Sequence, residues 1–443
     1  MPNRRDFLKI AAITGGINIL REGKVYSAQS GVLPQYFSVH PEIEKNPDAV
    51  FIMKTHVDDK MNSDAKLQTG REFARSVFVL SDKPGISLTT KIAVKPNSIL
   101  GKAESPYPPD YLMGAHVDPS FLEGVIEEMK NLGLKGNQFY IRDTSNDDKT
   151  FEESGYLDMV RRVGADIAGR VTAPETSPER IQWVDVHKGI IHRRIPYLWP
   201  FNAPDTFLLN IAKFKSHAMG LTLCSKNVQG MIAYPYQAFC GGFQGPLRDC
   251  KAKNINQKYM KVVESNFRRH LADGIPRWDK PGTDYRCGLG METWVTRTLD
   301  NVSATRMGLC IVEGIYGRDG SHFDGPHPPY KDGVEYSGRT HDFMTNIIFF
   351  GKNPFHVDII GHWLGGHEPG NFGLFHLARE RKMSKFLDPR KIPLFQWENG
   401  KAVSAKLDDF DRTELLTPYL RRNYNGQEEP VYHLCNERYE YRD

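Results

Sequence analysis

The sequence predicts an α/β fold: a mainly parallel sheet flanked by helices, with an irregular insertion and a long loop rich in Gly, Pro and His. One observation is a strand–helix–strand order, in which strand-like runs at 91–95 and 138–141 enclose an amphipathic segment. The other is an apolar, strand-like run at 207–211 that is followed directly by polar residues. Because strands joined through a helix run in the same direction, we expect parallel pairing with right-handed connections.

The composition is that of a globular protein with a weakly basic charge. The chain has 443 residues, of which 40% are apolar, and it has 58 Lys and Arg against 54 Asp and Glu. A core of ordinary size can therefore form. The basic residues are spread along the chain and form no stripe, so nucleic acid is not an expected partner.

Residues 1–30 resemble a twin-arginine export signal. Arg4 and Arg5 precede a short apolar stretch, Ile10–Leu20, and the small residues of Ser27–Ser30 suit a cleavage site. The sequence thus predicts an exported, periplasmic protein whose partner is the twin-arginine export machinery, which carries folded proteins and often their cofactors. A basic amphipathic first helix is the alternative. No later stretch is apolar over the length of a membrane span, so none is expected in the mature chain.

The six cysteines are widely spaced along the chain. No C-x-x-C pair occurs, so zinc ribbons and ferredoxin-type iron–sulfur motifs have no support. Cys240 and Cys250 are the most local candidates for a disulfide in an exported chain. The alternative for most cysteines is burial as small apolar side chains. The cofactor is unknown at this level, with a metal ion as one candidate.

Local patterns predict the elements of the first half. The strand at 91–95 is stopped by Pro96, which removes a donor from the ladder. Asp118 and Pro119 open a helix, because Asp118 caps free amides and Pro119 presets the first turn; Gly133 ends it. The other predicted elements here are a strand at 49–53, a helix at 152–163 and antiparallel strands at 182–186 and 189–196.

The second half is less regular. Residues 232–290 lack clean periodicity and are interpreted as a surface insertion with one helix near 258–271. Residues 314–340 are interpreted as a long loop, a feature typical of functional or mobile segments. The C-terminal part is expected to form a partly irregular wrap, and 31–443 is taken as one α/β domain. The other predicted elements are helices at 292–302, 354–364 and 372–381 and strands at 309–314 and 345–350.

Polar side chains follow four of the predicted strands. They are Lys95, Asp143, the run Lys213–His217 and the run Glu313–Asp319. Sites in parallel sheets form beyond the carboxyl ends of the strands, so we expect these groups to converge on one crevice. The alternative is that each strand end is polar only because it meets water.

The lysines of these strand ends predict an anion-binding site. Lys213 and Lys215 are point charges suited to phosphate, carboxylate or sulfate. Lys226 and Asn227 open a segment whose amides can face an anion, and Lys95 is assigned to the same site. Surface lysines without a ligand are the alternative. Neither a P-loop nor a Rossmann glycine pattern follows any strand, which disfavours ATP and nicotinamide dinucleotides in standard loops.

His217 and Asp143 are the candidate catalytic residues. Histidine titrates near neutral pH, so His217 suits proton transfer or metal ligation, and Asp143 is placed to orient a group. The alternative for a single histidine is a structural contact. Asp358 and His362 are the candidate metal ligands, because residues four apart share one face of a helix. Their alternative is a solvated helix surface.

Several motifs resemble, in order, the family named domain of unknown function 362. The strand ending at Asn97 is similar to its [VI]-x-[IV]-K-x-N segment, residues 215–217 to its K-[TS]-H and residues 226–230 to its K-N-x-x-G. The resemblance covers roughly 90–380 and implies an α/β domain, while the family's activity is largely unassigned. This sequence lacks the cysteines of the ferredoxin-like module that some members carry, and the insertion at 232–290 departs from the family pattern. The other matching positions are Asp118-Pro119, Asp143, 312–317 and 353–358.

Together these features predict an exported enzyme that acts on an anionic small molecule through a cluster of Lys and His. The alternatives are a non-catalytic periplasmic protein that binds a ligand or partner, and a metal-dependent redox protein. An enzyme requires an acid or base within hydrogen-bond reach of its substrate in a concave pocket. That geometry separates the first hypothesis from the second.

Overall fold

A ten-stranded sheet crosses the centre of the protein. The structure is a computed structural model that describes residues 36–98, 113–217, 219–234, 236–237, 254–276, 288–320, 342–417 and 433–442. The predicted signal peptide at 1–30, most of the loop at 314–340 and the pair Cys240 and Cys250 lie outside these residues.

The strands of the described residues differ greatly in length. Those of the first half are β1 (Tyr36–Val39), β2 (Val50–Lys54), β3 (Phe78–Ser81), β4 (Ile86–Ser87), β5 (Lys91–Pro96), β6 (Phe139–Arg142), β7 (Asp166–Ala168), β8 (Ile181–Asp185) and β9 (Arg194–Leu198). Those of the second half are β10 (Thr206–His217), β11 (Gly220–Thr222), β12 (Leu309–Arg318), β13 (Asp342–Gly351), β14 (Leu394–Glu398) and β15 (Lys401–Ser404).

Polar side chains cap several helices, and the cap that the sequence predicts at Asp118 is present. Asp118 accepts from the amides of Ser120 and Phe121 at the start of a helix, and Asn353 caps a later one. The helices are α1 (Pro41–Lys45), α2 (Ser63–Val77), α3 (Pro119–Asn131), α4 (Asp148–Glu153), α5 (Tyr156–Val163), α6 (Cys224–Asn227), α7 (Tyr259–Ala272), α8 (Gly288–Ala304), α9 (Pro354–Leu364) and α10 (Gly373–Glu380). In the ranges described above, none of them is long and apolar enough to cross a membrane.

The central sheet is mixed but mostly parallel. Its strand order is β15-β14-β2-β13-β12-β10-β5-β6-β7, with β11 paired to β10. The run from β12 to β7 is parallel throughout, and β13 and β15 are antiparallel to their neighbours. The predicted α/β fold with a mainly parallel sheet is therefore confirmed. The predicted antiparallel pair is also present, as β8 and β9.

The two faces of the sheet bury separate cores. On β10, Leu208 and Ala212 point to one face, where they pack with residues of α7 to α10; we call this the α8 face. Leu209 and Ile211 point to the other, where residues of α2 to α5 pack; we call this the α3 face. Strands covered on both sides read as continuous apolar runs, which is why the sequence of β10 predicts a buried strand.

Close packing of α2 on α3 fixes the helix layer of the α3 face. A Cβ added to Gly70 would lie 2.1 Å from the carbonyl oxygen of Phe121, and one added to Gly124 would lie 2.1 Å from that of Leu67. Only glycine lets the two backbones approach this closely. The N-terminus of α3 is thereby held at the carboxyl edge of the sheet.

Four sequence-based expectations need correction. The polar run after 211 is not beyond the strand, because β10 continues to His217 and pairs there with β11 and β12. The helix at 152–163 is two helices, interrupted at Gly155, where φ is +77°. The loop at 314–340 starts as strand, since β12 extends to Arg318. The C-terminal part adds the hairpin of β14 and β15 to the sheet.

Candidate functional site

The order in which the chain fills the sheet reverses between β5 and β10. From β5 the chain proceeds to β6 and β7 on one side, whereas β10 and β12 lie on the other. Such a switch point opens a crevice at the carboxyl ends of the strands. β10 pairs with β5 as far as Ile211, which lies opposite Pro96, and then continues past it. We call the space beyond the carboxyl ends of β5, β6, β10 and β12 the crevice.

Lys95, near the end of β5, joins three chain segments on the α8 face. Its Nζ lies 2.8 Å from Oδ2 of Asp143 and 3.0 Å from Oδ1 of Asn227. It also donates to the carbonyl of Pro96 at 2.6 Å. An ammonium group has three N–H donors, so these contacts use all of them. Burial lowers the pKa of Lys95, against the opposing effect of Asp143. These contacts give Lys95 a positioning role.

The K-N-x-x-G motif belongs to the same network. Asn227 Nδ2 donates to the carbonyls of Lys95 at 3.0 Å and Ile211 at 3.1 Å, and so ties α6 to both β5 and β10. A Cβ on Gly230 would lie 2.5 Å from Cε and 2.8 Å from Nζ of Lys95, so glycine is required where the ammonium passes. The Gly230 carbonyl also accepts from the amide of Thr144 at 2.9 Å.

A second buried network lies on the α3 face. Lys213 Nζ is 2.7 Å from Oε2 of Glu313, with both side chains fully buried, and 3.3 Å from the ring centroid of Tyr316. Asp118 accepts from Lys66 Nζ at 2.6 Å and from the Tyr316 hydroxyl at 3.0 Å. Burial lowers the pKa of Lys213, whereas Glu313 raises it. Burial raises the pKa of Asp118, but Lys66 and other partners lower it by more, so the net pKa lies below its ordinary value. The carboxylate therefore stays charged.

Residues 113–118, which we call the crossing segment, connect the end of β5 to β12. The amide of Val117 donates to the carbonyl of Asn97 at 2.8 Å, beyond the end of β5. The amide of Asp118 donates to Oε2 of Glu313, on β12, at 3.3 Å. Because β10 lies between those two strands, the crossing segment forms one wall of the crevice.

Five side chains around the crevice have a buried polar atom that finds no hydrogen-bond partner among the described residues. These atoms are Asn97 Oδ1, His116 Nδ1, Thr144 Oγ1, Asn146 Oδ1 and Ser216 Oγ. A buried polar group without a partner costs about 1–3 kcal/mol, and such groups are uncommon in folded proteins. Their concentration at the ends of β5, β6 and β10 and on the crossing segment indicates a place for a polar ligand.

His116 experiences the charge of the surrounding cations. Burial lowers the pKa of His116 to about 3. Asp118 raises it, but Lys213, Arg318 and Lys215 lower it further. The ring is therefore neutral at neutral pH, mainly because it is buried, and it lies near both Asp118 and three cations.

The predicted anion-binding residues lie in the walls of the crevice. Lys215 is fully buried on β10, opposite Arg318 of β12 and Thr222 of β11. Lys226 is buried in α6 and lies close enough to Lys95 to lower its pKa. The predicted lysines thus form two groups, Lys95 with Lys226 and Lys213 with Lys215, which lie on different faces of the sheet. Anion binding itself stays a prediction.

The candidate catalytic residues His217 and Asp143 also lie here. His217 Nδ1 accepts from the amide of Met219 at 3.0 Å, so the neutral ring carries its proton on Nε2. Asp143 Oδ1 accepts from the amide of Ser145 at 2.8 Å, and its Oδ2 accepts from Lys95. These hydrogen bonds hold together the chain segments that form the crevice. The catalytic role of Asp143 stays a prediction.

The candidate metal ligands Asp358 and His362 make contacts within the protein. Asp358 accepts from the amides of Cys224 at 2.7 Å and Ser225 at 2.9 Å, and also from the Ser225 hydroxyl. Burial raises the pKa of Asp358 to about 7, whereas these donors lower it. His362 Nδ1 donates to the Asp358 carbonyl at 2.8 Å. Across the described residues, no three His, Cys, Asp or Glu side chains are grouped to hold a metal ion, and the metal site stays a prediction.

Sequence patterns miss His116. It lies between the predicted strand at 91–95 and the helix that Asp118 opens, where neither periodicity nor a motif marks a site. The available signal is its position two residues before Asp118, the predicted helix cap at the carboxyl edge of the sheet. A histidine placed there faces the same edge as the polar strand ends.

A separate open groove of about 460 Å³ lies between α2 and α3. Its walls carry the ion pairs Arg71–Glu127, at 2.7 Å, and Arg75–Glu128, at 2.9 Å. None of the crevice residues lines it. Because its charged groups bind one another, the groove is a weaker candidate for the functional site than the crevice.

Comparison with known proteins adds a family assignment. The family described as domain of unknown function (DUF362) matches residues 92–362, which is more than half of the chain. No curated protein and no solved structure matches. The matched range begins in β5 and ends in α9, so it contains all four strands of the crevice and the crossing segment. The chain therefore belongs to the DUF362 family of domains of unknown function.

Proposed function

We propose that this protein is exported and binds a small anionic molecule in the crevice. The observation that carries the proposal is the group of buried polar atoms without partners at the ends of β5, β6 and β10. Two of them, on Thr144 and Ser216, are hydroxyls that can donate to an anion. A bound oxyanion would satisfy donors that the folded chain leaves unused.

The charge of the crevice supports an anion over a cation. Two of its carboxylates are neutralised within the protein, since Asp143 pairs with Lys95 and Glu313 pairs with Lys213. Three cations, Lys213, Arg318 and Lys215, act on His116 and lower its pKa, against the single carboxylate of Asp118, which raises it. A positive field in a low-dielectric setting favours a negatively charged ligand.

The hydrogen bond at His217 Nδ1 supports hydrogen-bond donation from Nε2. Because Nδ1 is occupied by the amide of Met219, the neutral ring presents N–H at Nε2. Such a group can donate a hydrogen bond to a bound oxyanion. The hydroxyl of Thr417 donates to the carbonyls of His217 and Gly220, which holds this turn in place.

Export is proposed from the N-terminal sequence. The paired residues Arg4 and Arg5, followed by a short apolar stretch, are typical of twin-arginine signals. The proposed ligand is accordingly one that the protein meets outside the cytoplasm.

Binding of sulfate, phosphate and malonate tests the proposal. Calorimetric titration and ligand-dependent unfolding would be compared between wild type, Thr144→Val and Thr206→Val. Among the described residues, both threonines have a buried hydroxyl without a hydrogen-bond partner. Thr206, however, is at the N-terminal end of β10, whereas the crevice is at its C-terminal end. A hydrogen bond to a charged group contributes about 1.5–3 kcal/mol, so Thr144→Val should weaken binding roughly 10- to 150-fold.

Thr206→Val is the matched control and should bind like wild type. If none of the three anions binds to the wild type, or if the two variants lose affinity equally, the proposed site is wrong.

A further inference from the structure

His116 occupies a defined position over the sheet. The amide of its neighbour Val117 is hydrogen-bonded to the Asn97 carbonyl beyond β5. The amide of Asp118 is hydrogen-bonded to the side chain of Glu313 on β12. The imidazole is 4% exposed and packs edge-on against Tyr156, with ring centroids 6.2 Å apart. These contacts place the ring at the crevice and limit its freedom to turn away.

The nitrogen Nδ1 of His116 is buried and has no hydrogen-bond partner in the part of the chain that the structure describes. The nearest carboxylate, that of Asp118, is already bound to Lys66 at 2.6 Å and to the Tyr316 hydroxyl at 3.0 Å. The charged and titratable groups that face the ring are Asp118 of the crossing segment, Tyr156 of α5, Lys213 and Lys215 of β10 and Arg318 of β12. The protein thus supplies cations around His116 but leaves Nδ1 without an acceptor.

We propose that His116 takes up a proton when a small oxyanion binds in the crevice, so that the imidazolium donates from Nδ1 to the ligand. This inference rests on the proposed function, because it requires an anion in the crevice. It assigns a ligand-binding role to a residue that no motif marks. It also predicts that ligand affinity is coupled to pH.

The physical reason is a change in the field at the ring. Without a ligand, burial and the surrounding cations keep the ring neutral, and its pKa is about 3. A bound oxyanion cancels part of the positive field and offers an acceptor to Nδ1–H, and both effects favour the charged ring. A group that is neutral in the free protein and protonated in the complex links binding to proton uptake.

Calorimetric titration with sulfate measures this coupling. Sulfate stays fully ionised near neutral pH, so any proton taken up belongs to the protein. Repeating the titration in buffers of different ionisation enthalpy gives the number of protons bound. We expect about one proton per sulfate, and an affinity that rises about tenfold for each unit by which the pH falls within the coupled range.

Two histidine variants assign the proton. His116→Asn keeps a neutral polar group near Nδ1 but cannot titrate, so it should bind sulfate without proton uptake. His192→Asn is the matched control, because His192 is also buried, also has a pKa of about 3, and follows Ile191, which packs in the core of the α8 face. It should retain the full proton uptake.

A spectroscopic readout avoids dependence on the variants. In wild-type protein with ¹⁵N-labelled histidine, sulfate should convert one neutral ring to the imidazolium form. Sulfate binding without proton uptake, or uptake that persists in His116→Asn, would overturn this inference and leave the anion site intact. Failure of sulfate, phosphate and malonate to bind at any pH would overturn the proposed function itself.

Discussion

Lys95→Met removes the cation that holds the crevice together on the α8 face. In the folded chain Lys95 Nζ donates to Asp143 at 2.8 Å, to Asn227 at 3.0 Å and to Pro96 at 2.6 Å, and both members of the ion pair are 1% exposed. Methionine fills a similar volume but leaves the carboxylate of Asp143 buried without its cation. Removing one partner of a buried pair costs about 3–5 kcal/mol.

The size of this loss depends on the charge that is left behind. Asp143 keeps two amide donors, from Ser98 at 3.2 Å and Ser145 at 2.8 Å, which places the expected loss toward the lower end, at about 3 kcal/mol. Adding Asp143→Asn to Lys95→Met removes the charge and should recover part of that loss. The two substitutions should therefore be non-additive by roughly 1–3 kcal/mol.

Chemical denaturation of the single and double variants measures these free energies of unfolding. Lys45→Met is the control, because the pair of Lys45 with Glu42 is on the surface, with side chains 69% and 42% exposed. It should change stability by less than about 1 kcal/mol. A Lys95→Met variant as stable as wild type, or strictly additive effects at Lys95 and Asp143, would refute the reasoning about this network.

Three further predictions follow from separate features. Gly230→Ala should destabilise the protein by about 1–3 kcal/mol in denaturant titrations, because its methyl would lie 2.5 Å from Cε of Lys95; wild-type stability would show that the lysine moves aside freely. The pKa of His192 is about 3 when folded, against an ordinary value of 6.5, so the unfolded chain gains its proton first and stability should fall as pH drops from 6.5 to 3. His192→Asn should lose up to about 4 kcal/mol of that acid sensitivity in unfolding measurements across this range, and an unchanged pH profile would contradict the assignment. Replacing Arg4 and Arg5 by lysine should block export through the twin-arginine pathway, measured by cell fractionation; normal export would argue against the signal.

The sequence predicts most of the fold because its core elements follow local rules. The strand–helix–strand unit around α3 is present, and the helix at 354–364 matches α9. The break at Gly155 within the predicted helix at 152–163 was not predicted. The apolar pattern is continuous there, but the left-handed backbone of Gly155 ends one helix and starts the next. The hairpin of β14 and β15 is missed because it is short and mostly exposed on one side.

The candidate site was harder to predict than the fold. Patterns of apolar residues place the end of β10 near 211, because a lysine at 213 or 215 looks incompatible with a buried strand. The strand continues because Lys213 forms an ion pair with Glu313 and a cation–π contact with Tyr316. Both partners are on β12, about a hundred residues further along the chain, so local patterns do not reveal them. His116 is unmarked for the same reason, since only the fold brings the crossing segment to the strand ends.

The central claim is that an oxyanion binds among the unpartnered polar atoms of the crevice. Crystals of the protein grown with selenate would locate the anion directly by its anomalous scattering. We predict a selenate within about 3 Å of Thr144 Oγ1, Ser216 Oγ or His116 Nδ1. A selenate bound only elsewhere, or an empty crevice at saturating selenate, would contradict the claim.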